Sequence, residues 1–419
     1  MEDDEMFEII VPKNWTNSDE IIKVIGIGGG GCNAVDYMYK QGITGCRFVV
    51  CNSDSQALHG CSVPVKVPIG HGLGAGTRPE IGRRYALESQ SDIDRVVFDK
   101  NTKMLFITAG MGGGTGTGAA PVIAKMSKEK GLLTVAVVTL PFVNEGNEAL
   151  TRAIDGVHEL EKNVDSLLII NNEKLHEYYG NLLIKDALPK TDEVLATAVR
   201  GIVEIIRKRG YINVDFQDVE TMMRNSGLAL MGCGEGKGKN RIEDAVKAAF
   251  ESPLLNDFDL KSARNVLINI TCSNNEQGLT MDDLTEINKK IDEHTGRANN
   301  FKRGLIWIDD PDFGDTVRIT SIVTGLRFID IIRPRDTGNY IIINRNFVYD
   351  RDQVLGTQEI SFDDESAFLK TGYNKGNHPS FRFDPDRKPV LIVSRNDSLS
   401  ELENIPAIHR AHTQSIYEE

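Results

Sequence analysis

The sequence Met104-Leu-Phe-Ile-Thr-Ala-Gly-Met-Gly-Gly-Gly-Thr-Gly-Thr-Gly118 is the most informative stretch of this chain. An apolar, strand-like run to Thr108 leads into a loop of glycine and threonine, and a helix-like segment, Ala119–Met126, follows. Glycine has no Cβ and tolerates positive φ, so the backbone N–H groups of such a loop can converge on an anion. The helix behind the loop adds unpaired N–H groups and the positive end of its dipole. The stretch therefore predicts a polyphosphate site, to which Thr115 and Thr117 can donate hydroxyl groups.

Strand-like and helix-like segments alternate around this loop, which predicts an α/β fold with a Rossmann-like, mostly parallel sheet covered by helices on both faces. The predicted strands are Ile21–Ile27, Arg47–Cys51, Met104–Thr108, Leu133–Thr139 and Ser166–Ile170. A second glycine cluster, Gly28–Gly31, follows the first of these strands and precedes a helix over Asn33–Tyr39. Ligands of such sheets bind at the carboxyl ends of the strands, and both glycine loops fall there.

The segment Thr191–Lys208 predicts one long helix that is apolar on most of its surface, and therefore central between two layers. Beyond it, further patterns predict a smaller sheet and helices, which together form an α+β domain. The predicted strands are Arg264–Thr271, Arg303–Ile308 and Thr316–Val323, and the predicted helices are Arg241–Glu251 and Met281–Asp292.

The whole chain is predicted to have six segments. They are a flexible lead-in (1–20), a nucleotide-binding domain (21–190), the central helix (191–210), a C-terminal activation domain (211–328), a variable, flexible linker (329–398) and a partner-binding peptide (399–412). The last assignment rests on the apolar and basic anchors at the end of an irregular tail, which are typical of motifs that fold on contact with a partner.

Composition excludes several classes of protein. The formal net charge of −13 argues against non-specific nucleic-acid binding and against direct adhesion to anionic membranes. No run of roughly 18 apolar residues could span a bilayer, and the acidic N-terminus lacks the features of a signal peptide, so a cytoplasmic protein is expected. The six cysteines contain no C-x-x-C pair, so the sequence predicts no metal site and no disulfide framework.

Three interpretations of the glycine clusters compete with one another. Gly26, Gly28 and Gly31 satisfy G-x-G-x-x-G, but a dinucleotide site needs an acidic residue at the end of the second strand, which instead ends in Asn52-Ser53. A P-loop is excluded because no G-x-x-x-x-G-K-[ST] occurs and neither loop carries the lysine. Simple tight turns would cost roughly 0.5–1 kcal/mol per glycine relative to alanine with no ligand in return.

The sequence resembles the bacterial branch of the tubulin/FtsZ family of GTPases over residues 20–328. The matching segments are Gly28–Val35, Asn52–Leu58, Gly72–Gly76, the signature loop Gly112–Gly118, Thr134–Phe142 and the catalytic-loop segment Asn213–Val219. The resemblance implies a GTPase that binds GTP and GDP with Mg²⁺ and polymerises with itself into the bacterial division ring at midcell. A tubulin-like filament protein with another role, such as plasmid segregation, is the alternative.

The resemblance also implies the roles of individual residues. Those at the first phosphate and base contact are Gly29, Gly30, Gly31, Cys32 and Asn33, and those near the γ-phosphate are Gly72, Gly74 and Ala75. The phosphates would be cradled by Gly112, Gly113, Gly114, Thr115, Gly116, Thr117 and Gly118. Glu145 would contact the ribose and Asp192 the guanine, since a carboxylate can accept from both N1–H and N2–H₂. By itself, Asp192 could equally be a helix N-cap.

One position departs from the family pattern E-G-x-x-R. The corresponding run ends in Ala149, so the arginine is missing, and Arg152 lies about one helical turn further on. We hypothesise that Arg152 replaces it.

The implied catalytic residues are Asn213, Asp215 and Asp218, which by themselves could be ordinary turn residues. The predicted central helix of eighteen residues would hold them about 27 Å from Asp192 at ~1.5 Å per residue. They could then act only on the nucleotide of a neighbouring copy, and a head-to-tail contact that does not close generates a filament. The segment Ile405–Arg410 resembles the family's adaptor-binding peptide, which implies division adaptor proteins as partners and an indirect link to the membrane.

Overall fold

The structure is a computed structural model that describes residues 9–11, 20–172, 183–207, 210–250, 260, 263–296, 300–326, 340–344 and 347–350. The chain forms two compact units, Met1–Phe328 and Ile329–Glu419. Its strands are β1 Ile22–Ile27, β2 Arg47–Asn52, β3 Lys66–Pro68, β4 Met104–Gly110, β5 Leu133–Leu140, β6 Ser166–Asn171, β7 Gly227–Gly236, β8 Asn265–Ser273, β9 Asn300–Ile308, β10 Val317–Leu326, β11 Tyr340–Asn344 and β12 Phe347–Asp350.

The α-helices of the described residues cover the sheet of the first unit. They are α1 Gly28–Lys40, α2 Ser55–Gly60, α3 Pro79–Glu88, α4 Gln90–Val97, α5 Thr115–Glu129, α6 Asn147–Glu161, α7 Ile184–Arg207, α8 Phe216–Met223, α9 Arg241–Phe250 and α10 Met281–Thr295. Among these helices, none is long and apolar enough to cross a membrane.

The first unit is built on one ten-stranded sheet with the order β3-β2-β1-β4-β5-β6-β7-β10-β8-β9. Strands β1 to β6 are all parallel, and their order reverses between β1 and β4. Every residue of β1 and of β5 is buried, as expected for strands covered on both faces. The predicted α/β fold with a parallel sheet is confirmed, and the predicted strands of this half are correct to within two residues.

The second group of strands extends this sheet. Residues 166–168 of β6 pair in parallel with residues 227–229 of β7, so the smaller sheet expected from the sequence is continuous with the first. Strand β10 lies antiparallel between β7 and β8, and β9 is the edge strand beside β8. The predicted domain boundaries at residues 190 and 211 stay predictions.

Of the second unit, the described residues form one hairpin, in which β11 and β12 pair antiparallel. Tyr340–Asn344 therefore forms a strand within the segment expected to be a flexible linker. The rest of that linker and the terminal peptide 399–412 lie outside the described residues.

Candidate nucleotide site and catalytic loop

Two glycine loops meet where the strand order of the sheet reverses. The loop after β1 leads into α1, and the loop after β4 leads into α5. Gly28 has a φ of 71°, and a Cβ there would stand 2.7 Å from the backbone nitrogen of Gly116. The amino ends of α1 and α5 therefore lie side by side at the switch point of the sheet, which is where open α/β sheets bind ligands. Two helix amino ends at one point also concentrate unpaired N–H groups.

The helices begin earlier in these loops than the sequence predicted. Helix α1 begins at Gly28, not at Asn33, and α5 begins at Thr115. The glycines of both clusters therefore supply the first helical turns, where backbone N–H groups have no intrahelical partner. These N–H groups are therefore available to bind an anion.

The glycines of these two loops fall into two groups with different surroundings. Gly31 and Gly118 are packed against backbone, because a Cβ would overlap the carbonyl oxygens of Thr108 and Pro79 respectively. In contrast, a Cβ on Gly29 or Gly113 would meet no heavy atom within 4 Å. The first group lets the loops pack closely, and the second group leaves space for a bound phosphate. A polyphosphate fits this arrangement.

Hydroxyl groups fix the second loop from within. The Thr117 hydroxyl accepts a hydrogen bond from the Gly112 N–H at 2.9 Å, so its own proton can still be donated to a ligand. The Thr115 hydroxyl shares a 2.6 Å hydrogen bond with the Ser53 hydroxyl, and both residues are buried. Sequence reasoning did not assign Ser53 to the site, although it lies in a small polar run directly after β2.

The loop from Gly72 to Gly76 forms the third wall of the site. Gly72 and Gly74 both have positive φ, and the Gly74 N–H donates to the Ser53 carbonyl at 2.8 Å. A Cβ on Gly114 would lie 2.9 Å from the carbonyl oxygen of Ala75. Backbone contacts thus bring this loop against Ser53 and the second glycine loop, and its place near the γ-phosphate stays a prediction.

The two remaining residues predicted at the first loop differ in orientation. Cys32 is buried, and its thiol lies 3.6 Å from the carbonyl oxygens of Gly26 and Cys51. Burial raises the pKa of the Cys32 thiol well above its ordinary value, so the thiol is neutral and faces the core. Any contact of Cys32 with a nucleotide is therefore left to its backbone, whereas Asn33 is exposed.

Arg152 contacts the phosphate loop directly. Its Nε donates to the Gly112 carbonyl at 2.9 Å, and its Nη1 lies 3.5 Å from an exposed carboxylate, Glu148. Gly112 is therefore held at its N–H by Thr117 and at its carbonyl by Arg152, with a φ of 104° that favours glycine. The Glu145 carboxylate accepts from its own turn, from the Phe142 N–H at 2.8 Å, and its ribose role stays a prediction.

Arg152→Ala is expected to weaken GTP affinity about fivefold, because it removes both a loop-fixing hydrogen bond and a cation beside the phosphates. The measurement is equilibrium binding of GTP, with Arg95→Ala as the control because that arginine is exposed on α4. Equal affinities of the Arg152→Ala variant and the wild type would contradict the hypothesis that Arg152 replaces the missing family arginine.

Asp192 lies inside α7, eight residues after its first residue, Ile184. The N-cap interpretation is therefore excluded, and the carboxylate needs another explanation. Burial, followed by the negative charge of Asp36 on α1, raises the pKa of Asp192 to about 6. Among the described residues, nothing donates a hydrogen bond to this carboxylate. It is a half-buried acceptor without a donor beside α1, which suits a base with two N–H donors.

The predicted catalytic residues lie in the turn before α8. Asp215 caps this helix by accepting from the Asp218 N–H at 2.9 Å, and Asp218 accepts in return from the Asp215 N–H at 3.4 Å. Asn213 accepts from the Gly210 N–H at 2.8 Å. All three side chains therefore do serve the turn, yet Asn213 and Asp215 remain exposed, and one Asp215 oxygen has no donor in the described residues.

Contacts with neighbouring elements fix the loop that carries these predicted catalytic residues. Leu305 of β9 accepts from the Tyr211 N–H at 2.8 Å and donates to the Ile212 carbonyl at 2.9 Å. At the far end of α8, Arg224 lies 3.5 Å from the buried carboxylate of Asp165, which also accepts from the Thr134 N–H of β5. The loop is thus tied to both groups of strands.

The predicted catalytic loop and the glycine loops lie at opposite ends of the parallel strands. Arg207, the last residue of α7, pairs at 3.2 Å with Glu20, which precedes β1, and packs against Gly45, which precedes β2. Helix α7 therefore runs from the carboxyl ends of the parallel strands to their amino ends. Helix α7 has 24 residues and spans about 36 Å at ~1.5 Å per residue, longer than the 27 Å predicted for eighteen residues. Its part from Asp192 to Arg207 spans about 22 Å.

Comparison with known proteins identifies the family. The descriptions "Tubulin/FtsZ family, GTPase domain" and "FtsZ family, C-terminal domain" match residues 21–180 and 227–327. The chain is 46% identical to the cell division protein FtsZ of Porphyromonas gingivalis over 319 residues, which cover 74% of this chain and 69% of the relative. The chain belongs to the tubulin/FtsZ family.

Further members of the family support the same assignment. FtsZ of Pseudomonas aeruginosa is 44% identical over 311 residues, covering 73% of this chain and 77% of the relative. A solved FtsZ dimer from M. jannaschii has a TM-score of 0.67 at 36% identity, covering 82% of this chain and 96% of that one. The chain is therefore a tubulin-like GTPase of cell division that binds guanine nucleotides, as predicted. The plasmid-segregation alternative has no support among these relatives.

Proposed function

We propose that copies of this chain assemble head to tail and hydrolyse each GTP at the junction between two copies. The observation that supports this proposal is the direction of α7, which ends at the amino ends of the parallel strands. The glycine loops lie at the carboxyl ends, so the length of these strands separates them from Asp215 and Asp218. In one copy the carboxylates cannot reach the γ-phosphate of their own nucleotide. In a stack of copies, the catalytic loop of one closes the nucleotide site of the next, and the contact repeats without closing.

Each side chain has a distinct task in this shared site. The glycine loops hold the phosphates, Glu145 holds the ribose, and Asp192 accepts from guanine. Asp215 and Asp218 polarise and orient the attacking water, with Asn213 positioning it, since phosphoryl transfer depends mainly on alignment and charge neutralisation. Mg²⁺, held mainly by the phosphates and water, supplies part of that neutralisation when bound.

The filaments would form the division ring at midcell in the cytoplasm. The terminal peptide 399–412 would recruit division adaptor proteins, and the filaments would reach the membrane only through them. The net charge of −13 supports this, because it opposes direct binding to anionic lipid and to nucleic acid.

The proposal is tested by measuring phosphate release from GTP over a range of protein concentrations, together with light scattering in GTP and in GDP. Turnover per subunit is expected to rise steeply where GTP-dependent scattering appears, because half of each site comes from a neighbour. Turnover per subunit that stays constant on dilution below this threshold would contradict the shared site. The GDP samples are the control for scattering unrelated to the triphosphate.

A further inference from the structure

A lysine on the edge strand contacts the catalytic loop. The Nζ atom of Lys302 on β9 lies 2.7 Å from Oδ1 of Asp218, and its side chain is 53% exposed. The hydrogen bond from Lys302 lowers the pKa of Asp218 below its ordinary value. Since the other Asp218 oxygen accepts from the Asp215 N–H, both oxygens of this carboxylate are fixed before any second copy arrives.

The same lysine changes the charge of the face that meets the nucleotide. Asp215 and Asp218 would bring two negative charges toward a highly anionic triphosphate. The ammonium of Lys302 cancels one of these charges. Its hydrogen bond to Asp218, followed by the negative charges of Asp218 and Asp215, raises the pKa of Lys302. An ammonium has three donors, and in the part of the chain that the structure describes Asp218 takes one of those on Lys302, whose side chain is exposed.

We propose that Lys302 is a positioning residue of the catalytic half-site, which fixes the Asp218 carboxylate and offsets the repulsion between this loop and the triphosphate of the neighbouring copy. This inference rests on the proposed head-to-tail function. It makes the trans-acting group a triad of Asp215, Asp218 and Lys302, in which the lysine acts through Asp218 and through the charge of the interface.

The test compares full-length Lys302→Met and Lys302→Arg with a matched control, Lys289→Met. Lys289 is exposed on α10 in the same group of elements, so the control removes an equal charge away from the loop. Lys302→Met is expected to raise the assembly threshold and to lower turnover per assembled subunit about fivefold, the upper range for one partly exposed ion pair. Lys302→Arg should retain turnover within about twofold, because it preserves the charge.

The dependence of turnover on salt distinguishes this role from a purely structural one. If repulsion at the junction is the cause, added salt screens it, and the deficit of Lys302→Met should shrink between low ionic strength and about 0.5 M. A deficit that is independent of salt, or a Lys302→Met variant that assembles and hydrolyses like Lys289→Met, would overturn the proposal. GTP affinity should be equal in all variants, since Lys302 is remote from the glycine loops.

The failure of this inference can be separated from failure of the proposed function. If wild-type turnover stays constant on dilution, the shared site itself is wrong. If wild-type turnover depends on assembly but Lys302→Met behaves as the control does, only the role of Lys302 is wrong.

Discussion

Asp215→Ala is expected to bind GTP with unchanged affinity and to hydrolyse it at least ~10-fold more slowly, as the loss of a water-orienting carboxylate should. Affinity is preserved because the glycine loops and Asp192 lie at the opposite ends of the parallel strands from Asp215. The measurements are equilibrium GTP binding and phosphate release above the assembly threshold.

Two controls separate chemistry from structure, because Asp215 also caps α8. Asp215→Asn retains a good N-cap but loses the charge, so it should fold as well as the wild type and still hydrolyse slowly. Thr280→Ala removes the cap of α10, which has the same reciprocal arrangement with Asp283, and should cost about 1 kcal/mol of stability without slowing hydrolysis. If Asp215→Asn were as fast as wild type, the carboxylate would not be catalytic.

Mixing two defective variants tests the shared site most directly. Asp215→Ala retains the nucleotide half, and Asp192→Ala retains the catalytic half. In a random one-to-one copolymer, about a quarter of the junctions combine the two intact halves, so about a quarter of the wild-type rate should return when each variant alone is inactive. Co-sedimentation confirms that both variants are in the filaments. No recovery in mixed filaments would contradict catalysis across the junction.

The sheet and the phosphate loops could be predicted because their signals are local. Strands such as β1 and β5 are buried on both faces, so their residues are mostly apolar, and β1 and β4 are followed by glycine clusters. The glycine loops could be recognised for the same reason, since the glycines of each loop are nearly contiguous in sequence, and their phosphate-binding role stays a prediction.

Strand β7 and the start of α7 were not predicted from the sequence. Strand β7 carries the run Gly-Cys-Gly-Glu-Gly at its end, which does not look like a strand. Its glycines are required because a Cβ on Gly234 or Gly236 would overlap the backbone of α9. The start of α7 was also missed, because Pro189 lies inside the helix and proline is disfavoured there.

Contacts between distant side chains carry no local signal. Arg152 reaches Gly112 across 40 residues of sequence, and Lys302 reaches Asp218 from another strand. No periodicity or spacing predicts such pairs, because each depends on how separate elements pack. The sequence accordingly led to the hypothesis that Arg152 serves this site, but it indicated neither the contact of Arg152 with Gly112 nor any role for Lys302.

Asp192→Ala is expected to weaken GTP and GDP binding at least about 100-fold, because two hydrogen bonds to a charged acceptor are lost. Discrimination against ATP should fall with it, since adenine lacks the pair of donors that the carboxylate accepts from. The measurement is the affinity of both nucleotides for wild type and variant. An unchanged preference for guanine would exclude Asp192 as the base contact.

The wild-type affinity should also depend on pH, with the sign set by Asp192. Its pKa is raised to about 6 by burial and by Asp36, and the carboxylate must be ionised to accept both donors, so affinity is lost as the pH falls through about 6. Between pH 7 and pH 5 the ionised fraction drops about tenfold, and affinity should drop equally.

Burial alone would raise the pKa of Asp36, but hydrogen bonds from Lys40 and Ser62 lower it, so Asp36 stays ionised throughout. Asp192→Asn does not titrate, so the ratio of wild-type to Asn affinity, which cancels protonation of the nucleotide itself, should carry the whole tenfold change. A ratio independent of pH would mean that this carboxylate does not meet the base.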